Sequence, residues 1–102
     1  MTTLILFWSG GCHTELKLLA ERAGFQFESV LIIGSHWMTP PAHLHCVEVG
    51  DFAPEPSCRY IILVNKAEHN QTVPVIAKLT AVSAEFEVYD FYYGDMVRLW
   101  PL

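Results

Sequence analysis

The feature that most constrains this chain is an uninterrupted apolar run at its N-terminus followed at once by a glycine pair. Residues 4–8, Leu4-Ile5-Leu6-Phe7-Trp8, have no polar alternation, the pattern of a strand covered on both faces. Ser9-Gly10-Gly11 then breaks the run. Beyond it, Leu16, Leu19, Ala20 and Ala23 recur at i, i+3, i+4 and i+7, while Glu15, Lys17, Glu21 and Arg22 fall off that stripe. Gly24 follows as a left-handed C-terminal cap, with Phe25 placed for the accompanying hydrophobic contact. Strand, turn and amphipathic helix are thus written into the first 24 residues.

A second strand is expected over residues 25–33, ended by Gly34. A ten-residue helix with short joins makes the two strands parallel neighbours in a right-handed βαβ unit. Residues 35–44, with Pro40-Pro41 and two histidines, read as a loop or a short helical turn. A short strand is expected within residues 44–49, and residues 50–57, with Pro54 and Pro56, read as a surface loop. The β-branched run at 60–64 is the next central strand. Residues 65–71 read as loop. Thr72 is the expected N-cap and Pro74 a first-turn proline of a second helix marked by Ile76, Leu79, Val82 or Ser83, and Phe86, ending near Ala84. Alternation on both sides of Tyr93-Gly94-Asp95 predicts a C-terminal β-hairpin. The expected fold is a single α/β domain spanning residues 1–102, a mostly parallel sheet with two helices in the order β-α-β-β-β-α-β-β.

Composition narrows the class of partner. The chain is 52% hydrophobic and 17% charged, against a usual charged share of about 25%. So much apolar surface on a small domain predicts an interface, most simply a two-fold homodimer through the aromatic hairpin bearing Tyr89, Phe91, Tyr92, Tyr93 and Trp100. A net charge of −5 and six scattered lysines and arginines argue against nucleic acid as partner. The N-terminus lacks a basic region, and no stretch approaches the ~20 apolar residues that span a bilayer. Cys12, Cys46 and Cys58 form no paired framework. Together these features predict a cytoplasmic protein with reduced thiols, without membrane attachment.

Chemistry concentrates at the glycine turn. Adjacent glycines let a ligand approach the backbone, and free N–H groups with the helix dipole favour an anion there. Ser9-Gly10-Gly11-x-x-Thr14 also resembles the signature of the PP-loop ATP pyrophosphatase family, Ser-Gly-Gly-x-Asp-Ser after the first strand. The resemblance runs over residues 4–33. It implies that the turn cradles the pyrophosphate of ATP, with Ser9, Gly10, Gly11 and Thr14 as the phosphate contacts; the candidate cofactor-binding set is the whole turn, Ser9, Gly10, Gly11, Cys12, His13 and Thr14. His13 stands where the family has aspartate, and the chain is much shorter than such an enzyme, so the expectation is nucleotide or phosphate binding without full adenylating activity.

Two further functions compete with that reading. One is a non-catalytic, homo-oligomeric interaction or regulatory module. The other is a Cys12 thiol protein, because a helix N-terminus stabilises thiolate. Thr72-Val73-Pro74 resembles the cis-proline tripeptide of glutaredoxin-like proteins, which implies a thioredoxin-like fold, although Cys12-His13-Thr14-Glu15 lacks the second cysteine of a redox pair. His36, His43, His45, Cys46 and Cys58 are zinc-binding residue types in no standard spacing, and His45 and Cys46 point to opposite faces if they lie on a strand, so no metal site is expected. Asp51, Glu55, Asp90 and Asp95 are expected in loops or near the hairpin, solvated and without an acid–base role.

Overall fold

A computed structural model describes residues 1–7, 13–34, 45–65, 69–92 and 95–100; within these, residues 13–15, 65, 69–71, 91–92, 95–96 and 100 are described by their backbone alone. The elements are β1 (Thr2–Phe7), α1 (His13–Arg22), β2 (Ser29–Gly34), β3 (Cys46–Glu48), a 3-10 turn (Val49–Asp51), β4 (Arg59–Asn65), α2 (His69–Ala81), β5 (Glu85–Tyr92) and β6 (Asp95–Trp100). They form one six-stranded sheet in the order β3-β2-β1-β4-β5-β6. Every neighbouring pair is parallel except β5–β6. The expected mostly parallel α/β sheet with a C-terminal antiparallel strand pair is the fold observed.

Side-chain alternation divides the core into two layers. On one face Leu4, Leu6, Ile32, Ile61 and Leu63 pack with Leu16 and Ala20 of α1. On the other, Ile5, Phe7, Leu31, Ile33, Tyr60, Ile62, Val64 and Val88 pack with Val75 and Leu79 of α2 and with Phe52. The central strands β1 and β4 are buried on both faces from Leu4 to Phe7 and from Tyr60 to Val64, which is why they read as continuous apolar runs.

The helix ends explain two departures from the sequence reading. At the end of α1 the Gly24 N–H donates to the Glu21 carbonyl (3.2 Å) and the Phe25 N–H to the Ala20 carbonyl (3.1 Å). With Gly24 at φ 86° this is a Schellman cap, as the glycine predicts. The cap holds the backbone of Phe25, so β2 begins at Ser29 rather than at residue 25. Ala23, counted in the helix stripe, lies beyond the helix and is exposed.

The second helix starts earlier than expected. Residues 69–71 are helical, Thr72 is a buried residue within α2 rather than its cap, and Pro74 lies inside the helix. Buried Thr72, Val75 and Leu79 form the inward stripe, with Ile76 and Val82 at its margin. The helix ends at Ala81 in a second Schellman cap: Ser83 N–H to the Thr80 carbonyl and Ala84 N–H to the Leu79 carbonyl, both 3.1 Å. Here a serine, at φ 57°, occupies the left-handed position.

Candidate functional site

The sheet order fixes where a ligand site belongs. From β1 the chain leaves through α1 toward β2, on one face and toward one edge; from β4 it leaves through α2 toward β5, on the opposite face and toward the other edge. The carboxyl ends of β1 and β4 are therefore adjacent strand ends whose connections diverge. In open α/β sheets this is the topological switch point, outside which ligands bind.

The turn singled out in the sequence joins the carboxyl end of β1 to the amino end of α1 at that switch point. Ser9, Gly10, Gly11 and Cys12 lie outside the described residues. His13 and Thr14 are the first two residues of α1, so the positive end of the helix dipole lies beside them. Residues 66–68, which follow β4, also lie outside the described residues.

The competing constellations are dispersed. The Thr72-Val73-Pro74 tripeptide sits within α2, and the residues after it are helical, whereas a thioredoxin-like fold carries that tripeptide ahead of a strand. Cys46 packs against the α1 face, where burial pushes its thiol up from 9.0, while Cys58 packs on the α2 face. These two cysteines thus lie on opposite sides of the sheet. His45 lines a hollow on the α2 face, opposite Cys46; His36 and His43 lie outside the described residues. Among the described residues no group of three His, Cys, Asp or Glu side chains is placed to hold a metal ion. Asp90 lies on β5, in the C-terminal strand pair, and is half-buried rather than solvated.

Two polar arrangements have no counterpart in the sequence reading. The Lys78 ammonium on α2 donates to the carbonyls of Val49, Gly50 and Phe52, each at 2.9 Å. It thereby clamps the β3–β4 connection onto α2. On the α1 face Glu87 receives Arg59 at 2.9 Å, lies 3.7 Å from Arg98, and accepts the Tyr89 hydroxyl at 3.0 Å. Burial, then the Glu87 contact, raises the Tyr89 phenol above 10.0. Neither arrangement has a local signature, since each joins residues on different elements.

Fold and switch point together define the class: a doubly wound α/β domain. Comparison with protein-family profiles, with curated proteins and with solved structures finds no match. No helix among the described residues is long and apolar enough to cross a membrane.

Proposed function

We propose that this protein binds a phosphate-bearing small molecule, a nucleotide such as ATP by resemblance, at the turn of Ser9, Gly10, Gly11, Cys12, His13 and Thr14. The observation that carries the reading is the divergence of α1 and α2 onto opposite faces, which puts this turn at the switch point of the sheet. The glycine pair suits close approach of phosphate to backbone, and the start of α1 suits its charge. With histidine rather than aspartate at position 13, the function is binding without full adenylating activity. Titration with ATP, AMP and pyrophosphate, with and without Mg²⁺, tests it through tryptophan fluorescence, because Trp8 immediately precedes the turn. A saturable change is expected; silence with every compound overturns the reading.

A second reading is favoured by one specific observation. Strand β6 is an edge strand of the sheet, and Val97 and Leu99 on it are 49% and 37% exposed, Leu99 beside the 68% exposed Val73 of α2. An exposed edge with apolar neighbours suits pairing with a second copy about a two-fold axis. In this reading the chain is a homodimeric interaction module working through its C-terminal hairpin. Sedimentation should give a dimer at micromolar concentration, and Val97→Lys a monomer. A monomeric parent protein removes this reading and leaves the first untouched.

A further inference from the structure

The connection from β3 to β4 leaves a hollow among the described residues. In doubly wound sheets such a crossover is usually a helix lying over the strands. Here it is a 3-10 turn and an irregular return over residues 52–58. The result is a hollow of about 380 Å³ on the α2 face, over the amino-terminal parts of β1 and β2. That volume falls within the range of small-molecule sites, roughly 300–1,000 Å³.

Its lining is held in place from several directions. Thr3 and Ser29 form the floor, their hydroxyl oxygens 2.9 Å apart. Buried Phe52 and Tyr60 form an aromatic wall, with ring centroids 6.0 Å apart and planes at 89°. The Glu55 backbone N–H donates to the Tyr60 hydroxyl at 2.9 Å, and the Cys58 thiol donates to the Glu55 carboxylate at 3.4 Å. Lys78 holds the Phe52 carbonyl from behind. Burial raises the Tyr60 phenol above 10.0, so it stays neutral at ordinary pH. Asp51 and Glu55 are the acidic residues of the lining, which also holds Met1 and His45 and, among the described residues, no lysine or arginine.

We propose that this hollow is a second binding site, for a small organic ammonium ion bearing an apolar or aromatic body. The body packs on Phe52 and Tyr60, whose ring faces also attract a cation. The ammonium pairs with Asp51 and Glu55 and donates to the Thr3 and Ser29 hydroxyls. The site lies over the amino-terminal part of β1, whereas the glycine turn follows that strand's carboxyl end, and it takes the opposite charge, so it stands independently of the phosphate reading.

The probe is 2-phenylethylammonium, with phenylacetate as the control of matching size and opposite charge. Titration into ¹⁵N-labelled full-length protein should move amide resonances of residues 51–60 saturably, while phenylacetate moves none. Asp51→Asn with Glu55→Gln, both exposed and nearly isosteric, should weaken the ammonium ion about tenfold. The Glu55 main-chain bond to Tyr60 survives that change, and unchanged resonances elsewhere show that the variant is folded. Equal binding of phenylacetate, unaltered affinity in the double variant, or no shift of residues 51–60 with the ammonium ion overturns the proposal.

Discussion

The two faces of the sheet are closed by different means. The α1 face is covered by a regular helix whose seat on the strands, Leu16 and Ala20, is local, lying within one ten-residue periodic segment. The α2 face is covered partly by a helix and partly by an irregular return that brings Phe52 into the core. That return is held by Lys78, which lies 26 to 29 residues away in sequence from the carbonyls it bonds. Periodicity places the helix of the first face; the return segment of the second also has a long-range polar clamp. The same asymmetry underlies both proposed sites, since helices sent to opposite faces create the switch point and the short crossover creates the hollow.

The comparison can be broken most severely through the helix anchors. Leu79 is fully buried under α2 and Leu16 nearly so under α1. Leu79→Ala should cost about 3–5 kcal/mol by chemical denaturation, and Leu16→Ala about 2–3, because Leu79 sits in the larger cluster with less room to relax. Equal losses would show that the return segment adds nothing to packing on its face.

Next in size is the clamp. Lys78→Met keeps the aliphatic stem and removes three charge-assisted hydrogen bonds, which should cost about 2 kcal/mol. Hydrogen exchange should speed up at residues 49–55 before it does in α1. A stability loss spread evenly over both faces would contradict the role assigned to Lys78.

The helix ends give a smaller, paired test. Gly24→Ala forces a side chain into a left-handed backbone, although a Cβ there meets nothing within 4 Å, so the cost should be conformational and about 1 kcal/mol. Ser83→Gly relieves the same strain at the end of α2 and should raise stability by about 0.5 kcal/mol. Opposite signs in thermal melts are expected; matching signs would contradict the shared cap geometry.

Smallest is an alkaline effect on the α2 face. Burial foremost, then Cys58 and Glu55, raise the Tyr60 phenol above 10.0, against the lowering effect of the Glu55 backbone N–H. A raised folded value means that its contribution to stability is complete below pH ~10 and is lost as pH climbs from there through the folded value. The pH-induced loss above pH ~10 should therefore shrink in Tyr60→Phe, measured as the difference in denaturation midpoint between neutral and alkaline buffer.

Legibility in the sequence follows the same division. The apolar runs of β1 and β4, the α1 stripe and the Gly24 cap report their own environment, so strand identity, helix placement and the α/β class could be read directly. The start of α2 could not, because Thr72 and Pro74 carry N-terminal signals that tertiary burial of Thr72 overrides. The Ser83 cap was hidden because serine has no preference for positive φ. The glycine turn was visible as a motif, but its position at a switch point depends on strand order, which no short segment encodes. The hollow was less legible still: Asp51, Glu55, Cys58 and Tyr60 become neighbours only through the return of the chain.

The central claim is that the joint after β1 receives a phosphate. Titration of ¹⁵N-labelled protein with pyrophosphate tests it most directly. The account predicts saturable amide shifts centred on residues 9–16, including the first turn of α1, and their loss in Gly11→Val. Shifts confined to other segments, or shifts at 9–16 that persist unchanged in Gly11→Val, would contradict it.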